Sequence, residues 1–365
     1  MGEIDFEQLE IAAGRLGDAV IDPAVWPELM DGICRAVGAT GAALLQSDAR
    51  TPDVPYTSSI EGLYKRYFGD GWHQRDTRAN KGVPLLLRGG ALINDEDVVT
   101  PEEMAHDPYY NECNIPCGFK WFTTIAVWAG PALWGLAIQR TPREGPFEAQ
   151  DKRILAPLSQ RLSEAATLST AIGRLALSSA TGALNAVHQP AVAIDRTGLV
   201  LDANALAHAL FDRDFGVANR HLALSDALAK NCLEKLLEQL RACPEAVGLP
   251  ASPIVARRKG RAPVVIRLLP VPPAARGPFL GARALLTFTV VEPRTGPCAP
   301  LLVTAFALTP AEAKLASLIA EGIAPERAAE QLGIARETAR VHLKAVFAKT
   351  GTHRQAELVA LLARV

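Results

Sequence analysis

The sequence has few cysteines and almost no net charge, and both facts narrow the class of protein. Its 365 residues contain six cysteines and carry a formal net charge of −1. The closest pair, Cys113 and Cys117, is interrupted by Pro116 and has no second pair beside it, which argues against a disulfide framework and a zinc site. Because the total charge is near zero, a surface for a charged partner must come from a local concentration of charge.

The sequence also lacks the short motifs of common catalytic sites. No GxSxG elbow, P-loop or GxGxxG phosphate cradle occurs. His188, His208 and His221 are too scattered in the chain for a metal site. The acidic residues at positions 95–97 and 102–103 are interpreted as solvated loop charges rather than catalytic carboxylates. We therefore expect no enzyme activity, no catalytic residue, no cofactor and no metal.

A secretory signal and a membrane span are also not expected. The N-terminal MGEIDFEQLE is acidic and has no apolar segment, which predicts a cytoplasmic protein. Residues 121–138 carry no charge, and at this length they reach the short limit for a transmembrane helix. However, Gly130 and Pro131 interrupt the stretch, and its Thr, Val, Ile and Trp content favours strands. We predict two antiparallel strands joined by a turn, and no contact with a membrane.

What is present suggests three domains, since domains of about 100–150 residues are most common. All five Trp and all five Tyr precede residue 135, so this region has a character that no other region shares. A long amphipathic helix follows, without a strong stop before about residue 182, and such a helix could pair with its copy in a second subunit. The predicted boundaries are 1–165 for a first α+β domain, 166–188 for a connecting helix, 189–292 for a second α+β domain, 293–304 for a linker and 305–365 for an all-α domain.

The second α+β domain begins with a recognisable order of elements. Residues 189–211 predict strand, turn, strand and helix, with the turn at 195–198 and either Asp202 or Asn204 as the helix N-cap. Leucines at helical spacing follow at positions 233–240. The stretches APVVIRLLPVP and ARALLTFTVVEP close the domain as two strands.

Residues 333–351, GIARETARVHLKAVFAKTG, predict a helix between two glycines. Arg336, Arg340 and Lys344 follow one another along one edge, while Val341 points away from the core. The core-facing stripe is Ala339, Leu343, Val346 and Phe347. Like charges four residues apart repel by roughly a few tenths of a kcal/mol per pair, so the stripe indicates a negatively charged partner. A solvated helix with an uneven charge distribution is the alternative.

This helix belongs to a run of four short helices between residues 308 and 362. Thr309, Pro310 and Glu312 predict a capped start for the first helix, and Pro325 opens the second. Gly333 provides the turn into the basic helix. A short helix, a glycine turn and a basic helix form a helix-turn-helix, whose second helix enters the major groove of DNA.

The motifs LTPAE, EG at 321–322, TARVHLKAVFAK and RQAEL resemble the DNA-binding domain of LuxR/FixJ-type transcription regulators. The resemblance covers about 55 residues of the chain and implies a double-stranded DNA partner read by a homodimer. Ala335, Ala339 and Ala328 depart from the usual Ser, Val and Ile, which is expected to weaken capping and packing. The resemblance implies base-edge contacts for Arg340, Val341 and Lys344 and phosphate contacts for Thr338, Lys349 and Arg354. His342 stands where the family commonly has a histidine, and Arg336 of the basic stripe completes the predicted DNA-binding residues.

The two upstream regions have weaker resemblances. AIDRTGLVLDANALA resembles the start of a PAS domain, for which we expect a structural fold without a ligand. GWHQRDTRA, TTIAVWAGPALWGLAIQR and GPFEAQDKRIL resemble a GAF-type sensor or the ligand domain of quorum-sensing LuxR proteins. In those receptors a Pro follows the Asp of an aromatic cluster, whereas Thr77 follows Asp76 here. Trp72 is the favoured cavity residue because it lies in a glycine-flanked loop. The predicted ligand-binding residues are Tyr64, Tyr67, Trp72, Asp76, Tyr110, Trp121 and Trp134.

Together these patterns predict a multidomain protein with a GAF-like and a PAS-like α+β sensor domain and a C-terminal all-α helix-turn-helix domain. The predicted function is transcription regulation, in which a small molecule or a partner in the first domain controls DNA binding by a dimer. RNA polymerase is a further partner to consider. Two alternatives remain: an interaction or ligand-binding module with a degenerate helix-turn-helix, and an acyl-homoserine lactone receptor.

Overall fold

The computed structural model describes residues 4–48, 50–242, 252–271, 277–292 and 296–363. The chain divides into two compact units, Met1–Val290 and Val291–Val365. Residues 293–295 of the predicted linker lie outside the described residues.

The first unit begins with helices that pack on one edge of a sheet. Asp5 caps the first helix by accepting a hydrogen bond from the Gln8 amide at 3.0 Å. The chain leaves the helical conformation at Asp22, whose carboxylate accepts a hydrogen bond from the Ala24 amide, and a short 3₁₀ turn, Pro23–Val25, follows. The elements are α1 (Phe6–Gly14), α2 (Leu16–Ile21), α3 (Trp26–Ala36) and β1 (Gly41–Gln46).

The first sheet has four antiparallel strands in the order β1-β4-β3-β2. Its remaining elements are α4 (Glu61–Gly69), α5 (Thr77–Leu87), β2 (Leu92–Asn94), α6 (Asp95–Val98), α7 (Pro101–His106), a π-helical turn (Tyr109–Asn114), β3 (Trp121–Ala129) and β4 (Ala132–Arg140). The predicted strand pair is confirmed, since Ala129 pairs with Ala132 and Gly130 turns the chain at a φ of 62°.

Strand alternation gives the first sheet two distinct faces. Along β4, Leu133, Gly135, Ala137 and Gln139 lie on one face, whereas Trp134 lies on the other. Directly paired residues share a face, so the face of Gln139 continues into the neighbouring strands. This face contributes to the cavity described below.

Helix α8 (Ala149–Ala186) connects the first sheet to the second. It has 38 residues, so the predicted absence of a stop before residue 182 is confirmed. Leu155, Leu158 and Leu162 are buried in the core of the first sheet. Ser159 also donates a hydrogen bond to the carbonyl oxygen of Ala126 in β3 at 2.7 Å, which fixes the helix on the sheet.

The second sheet has five antiparallel strands in the order β6-β5-β11-β10-β9. Its elements, with a separate hairpin of β7 and β8, are β5 (Ala191–Asp195), β6 (Val200–Ala203), α9 (Ala205–Leu210), β7 (Phe215–Ala218), β8 (His221–Leu224), α10 (Ala227–Ala242), β9 (Ile254–Arg258), β10 (Arg261–Pro270) and β11 (Ala282–Val290). The predicted strand-turn-strand-helix order is confirmed. Asn204, rather than Asp202, caps α9 by accepting from the Ala207 amide at 2.9 Å.

Two buried contacts join the two sheets of the first unit. The ring of Phe279, which precedes β11, packs edge-on between Trp26 and Trp134, with centroid separations of 5.4 and 5.3 Å. Asp53, which follows β1, forms ion pairs with Arg196 and Arg283 of the second sheet. All three charged side chains are at most 5% exposed.

The second unit consists of helices around one small core. The four predicted helices are confirmed, and α11 forms where the sequence predicted the end of a linker. The reason is that Pro300 suits the first turn of a helix and Leu302 is fully buried in the core of this unit. The helices are α11 (Ala299–Phe306), α12 (Pro310–Ala320), α13 (Pro325–Leu332), α14 (Arg336–Thr350) and α15 (Gln355–Leu362).

The described residues contain no single helix that is long and apolar enough to span a membrane. Within the same residues, the helices Ala299–Phe306 and Pro310–Ala320 together have the length and apolar composition of a membrane span, but the two helices are bent by 113° relative to each other.

Candidate functional site

Helix α14 is positioned by the turn that precedes it. Gly333 ends α13 in the left-handed conformation, at a φ of 66°, which glycine adopts without strain. Ala335 then occupies the N-cap of α14 and offers no side-chain hydrogen bond. The amides of the first turn therefore lack the capping partner that a Ser would supply, at a cost of about 0.5–2 kcal/mol.

The inner face of α14 holds the helix on the domain. Ala339 and Val346 are buried, and Leu343 and Phe347 are half-buried against the same core. The predicted core stripe is therefore confirmed. Because this face is fixed by packing, the opposite face has a defined orientation.

The outer face of α14 combines cations with one exposed apolar side chain. Val341 is 64% exposed, although valine is usually buried. Arg336, Arg340 and Lys344 are also exposed on this helix. A valine methyl between cations is suited to a surface that offers both negative charge and apolar methyl groups.

The three cations differ in their carboxylate neighbours. Arg336 lies 3.4 Å from Glu330, and Arg340 lies 3.5 Å from Glu337, with all four side chains at least 66% exposed. Such exposed pairs contribute little to stability and exchange readily for another anion. Among the described residues, Lys344 has no ion pair, so its ammonium group can bind an anion without first giving up a carboxylate.

Lys349 has a different environment from the other predicted contacts. Its ammonium group donates a 2.6 Å hydrogen bond to Glu312, whose side chain is only 8% exposed. This hydrogen bond lowers the pKa of Glu312, which also completes the predicted capping box with Thr309. Lys349 therefore links the end of α14 to the start of α12 inside the domain.

The remaining predicted contacts lie on or directly after the same helix. Thr338 is exposed in the first turn of α14, and His342 is half-buried one turn later. Arg354 is exposed at the N-cap of α15, after the left-handed Gly351. The structure thus places all eight predicted DNA-contacting residues within α14 or the turn that follows it.

The first sheet, in the other unit, encloses a cavity of about 60 Å³. The cavity lies between the sheet and α5, and its apolar lining includes Leu45, Val83, Leu86, Phe122 and Ala137. Four lining residues are charged or carry an amide: Arg50, Asp76, Arg78 and Gln139. An apolar cavity with a few fixed polar groups is typical of a small-molecule site.

A buried ionic network forms one side of this cavity. Arg50 donates hydrogen bonds to both Asp76 and Tyr67, and the Tyr67 hydroxyl donates to Asp76 at 2.8 Å. Asp76 also caps α5 by accepting from the Ala79 amide at 3.0 Å. Burial and the neighbouring Asp76 charge raise the pKa of Tyr67 well above its usual value, so Tyr67 remains a neutral donor.

A second buried arginine, Arg78, separates the cavity from a neighbouring cleft. Its guanidinium donates to Gln139 at 2.9 Å and to the carbonyl oxygen of Lys120, and it lies 3.4 Å from Asp95. Its guanidinium carbon is also 4.3 Å from the ring centroid of Phe122, a favourable cation–π distance. The side chain is therefore held from several sides.

The expectation that Asp95 is a solvated loop charge is wrong. Asp95 is 6% exposed, begins α6, and accepts hydrogen bonds from the Phe122 amide at 2.8 Å and the Tyr110 hydroxyl at 2.7 Å. Its burial raises the pKa, although Arg78 and these donors act in the opposite direction. These partners come from distant parts of the chain, so the acidic run alone did not indicate them.

The predicted ligand-binding residues do not all lie at one cavity. Asp76 and Trp134 line the cavity, but strand alternation puts the Trp134 ring on the opposite face of the sheet, against Phe279. Tyr67 reaches the cavity through Asp76, and Tyr110 contacts Arg78 and Asp95. Trp121 lines the neighbouring cleft.

Tyr64 and Trp72 have packed environments of their own. Tyr64 stacks on Tyr56 at a centroid separation of 3.9 Å, and Trp72 is buried in a 3₁₀ turn with Arg75 4.3 Å from its ring centroid. Trp72 is thus not an unpacked loop residue. Arg50 and Arg78 line the cavity but were not indicated by the sequence, because nothing in their spacing distinguishes a buried arginine from a surface one.

The C-terminal segment matches one protein family. Residues 307–362 match the family described as bacterial regulatory proteins, luxR family. This segment contains α12 to α15 and every predicted DNA-contacting residue. No curated protein matches the chain.

Three solved structures have partial similarity to the chain. The VqsR LBD domain from Pseudomonas aeruginosa is 20% identical, with 44% of this chain and 94% of that chain covered and a TM-score of 0.36. The phage VqmA–DPO complex is 17% identical, with 51% and 87% covered and a TM-score of 0.23. The Vibrio cholerae VqmA dimer is 13% identical, with 47% and 80% covered and a TM-score of 0.18.

At TM-scores this low, none of the three similarities establishes a shared fold or a shared ligand. The family match rests instead on a defined segment, whose helices and exposed basic residues are those of a helix-turn-helix. Residues 307–362 of this chain therefore form a LuxR-type helix-turn-helix domain, a segment that matches the family described as bacterial regulatory proteins, luxR family.

Proposed function

We propose that this protein is a transcription regulator that reads double-stranded DNA with α14 and senses a small molecule in the first sheet. The observation that carries the proposal is the outer face of α14. There an exposed Val341 lies near Lys344, which has no ion pair within the described part of the chain, and both belong to the segment that matches the luxR family.

The proposed readout combines charge and shape. Lys344 can donate to the acceptor atoms of a guanine in the major groove, and the Val341 methyl groups can pack on a thymine methyl. Arg340 and Arg336 would exchange their exposed glutamate neighbours for DNA phosphates or base edges, with release of counterions. A homodimer would present two such helices to paired half-sites.

Thr338, Arg354 and Lys349 are proposed phosphate contacts. The hydrogen bond between Lys349 and Glu312 reduces the charge that Lys349 offers to a phosphate. We therefore expect Thr338 and Arg354, which are exposed, to contribute more directly to phosphate binding than Lys349.

The sensing part of the proposal rests on the polar lining of the cavity. Asp76 and Arg50 are buried beside an apolar surface, so a ligand with one polar group could bind to them while its apolar part contacts Leu86 and Phe122. The volume of about 60 Å³ is well below the roughly 300–1,000 Å³ of drug-sized sites. The ligand is accordingly small, or the cavity widens when the ligand enters.

Selection of bound sequences from a random DNA pool, followed by binding titrations at several salt concentrations, tests the DNA-binding proposal. Lys344→Ala should cost about 1–3 kcal/mol of binding free energy and relax the preference at one base pair. Lys314→Ala is the matched control, because Lys314 is exposed on α12 and should leave the preference unchanged.

A degenerate helix-turn-helix would behave differently. It would retain salt-dependent binding, but the selection would return no preferred sequence, and Lys344→Ala would weaken all sequences alike. That result would remove the readout role from α14 and favour an interaction or ligand-binding module.

A further inference from the structure

The first sheet region also has a larger cleft, separate from the cavity at Arg50 and Asp76. Its volume is about 430 Å³, within the range of small-molecule sites. It lies between α6, α7, the start of β3 and the chain before α8. Nothing in the proposed sensing mechanism uses it.

The cleft has an apolar surface that is open on one side. Val99, Met104 and Phe147 are buried, and Ile115 remains 39% exposed at its margin. Trp121 adds a half-buried aromatic ring. Such a surface would be covered by the apolar body of a ligand, and its burial from water would favour binding.

The carboxylates that line the cleft are already paired with cations. Asp95 is paired with Arg78, and Glu96 lies 2.8 Å from the ammonium group of Lys152. Lys120 also lines the cleft, and its ammonium group lies 4.6 Å from the Trp121 ring centroid. No carboxylate in the part of the chain that the structure describes pairs with Lys120, so its positive charge in the cleft is not neutralised by an ion pair.

The indole of Trp121, which also lines the cleft, carries a second donor. Its Nε1 atom is buried and has no hydrogen-bond partner within the described residues. An indole N–H can donate but not accept, and an ammonium group likewise only donates. Two donors next to an apolar surface favour a ligand with two acceptor oxygens, one negative charge and an apolar body.

We infer that this cleft binds a monocarboxylate with an apolar body, such as a medium-chain fatty acid or an aryl acid. The carboxylate would accept hydrogen bonds from Lys120 and Trp121, and the apolar body would lie on Val99, Met104 and Phe147. This site is independent of the proposed function, because it requires neither DNA binding nor the cavity at Asp76.

Calorimetric titration of the full chain with octanoate tests this inference. Octanamide is the matched neutral probe, since it keeps the chain length and one acceptor oxygen but lacks the charge. We expect octanoate to bind about tenfold more tightly than octanamide, the difference expected of one charge-assisted hydrogen bond.

Two variants identify the donors. Lys120→Met keeps the apolar stem and should reduce octanoate affinity about tenfold without changing octanamide affinity. Trp121→Phe keeps a ring but loses the N–H, so it should weaken both probes severalfold. Lys65→Met is the control, because Lys65 is 72% exposed on α4 and its loss should change neither affinity.

The inference is overturned if octanoate shows no saturable binding at millimolar concentration, or if wild-type protein binds both probes equally. It is also overturned if Lys120→Met keeps the preference for octanoate. The comparison of octanoate with octanamide uses wild-type protein, so it tests the inference even if a variant fails to fold.

Discussion

The two sheets of the first unit differ in how their interiors are filled. The first sheet encloses a cavity and a cleft with buried charged groups beside them. In the second sheet, apolar side chains fill the core, where the rings of Phe215 and Phe288 are in edge contact at 5.0 Å. Its two buried arginines, Arg196 and Arg283, extend to Asp53 of the first sheet region.

This difference suggests a division of tasks between the sheets. A region with fixed buried charges and incomplete filling can bind a ligand, whereas a well-filled region is suited to respond as a rigid body. Arg50 contacts the cavity, and Asp53, three residues later, contacts the second sheet. We therefore expect a shift of Arg50 on ligand binding to alter the ion pairs of Asp53.

The largest expected effect comes from removing Asp53. Asp53→Ala leaves two buried arginines without their carboxylate partner, and losing one partner of a buried pair typically costs about 3–5 kcal/mol. Denaturant unfolding followed by tryptophan emission measures this change, because all five Trp lie in the first sheet region. Glu28→Ala, which breaks an exposed pair with Arg15, is the control and should change little. Equal stability of the two variants would show that the sheets do not depend on this contact.

A somewhat smaller effect is expected at Phe279. Phe279→Ala removes a buried ring from between Trp26 and Trp134, and we expect a loss of about 3 kcal/mol together with a change in tryptophan emission. Phe6→Ala provides the control, since Phe6 is 62% exposed. Unchanged emission in the folded Phe279→Ala variant would contradict the observed packing of Phe279 on both indoles.

Local patterns predicted the structure where neighbouring residues decide it. The spacing of Ala339 and Val346, the glycine before α14 and the turn at Gly130 each depend on a few adjacent positions. Strand alternation alone would also have placed the Trp134 ring and the Gln139 side chain on opposite faces of β4.

The parts that the sequence did not predict depend on distant residues. Arg283 and Asp53 are 230 positions apart, and Arg78 donates a hydrogen bond to Gln139, which lies 61 positions later in the chain. A charged residue is usually solvated, so burial of Asp95 becomes visible only when its donors are assembled by the fold. The same applies to the site, since the cavity is lined by α5 and all four strands of the first sheet together.

The smallest expected effect is on the pH dependence of stability, which tests the contact that Asp53 makes between the two sheets. Burial by itself raises the pKa of Asp53, but Arg283 and Arg196 outweigh it, so the pKa in the folded protein is lowered. Because the pKa of Asp53 is lower in the folded protein, the residue stabilises the fold at pH values above about 3.9, its pKa in the unfolded chain. This stabilisation is lost as the pH falls through the pKa of the folded state. The stability difference between wild-type protein and Asp53→Asn should be constant from about pH 8 down to about pH 5. It should then decrease as the pH falls further, by about 1.4 kcal/mol in total for each unit by which folding lowers the pKa.

Urea unfolding of both proteins between about pH 7 and pH 2.5 measures this difference directly. The comparison with Asp53→Asn removes the contributions of other carboxylates, because those titrate equally in both proteins. Asp95 is the useful contrast, since burial raises its pKa in the folded protein despite the nearby Arg78. The stability that protonated Asp95 contributes is therefore lost as the pH rises through the pKa of the folded state. A difference at Asp53 that stays constant down to pH 2.5 would mean that the two arginines do not stabilise its charged form, and the proposed link between the sheets would then depend on Phe279 alone.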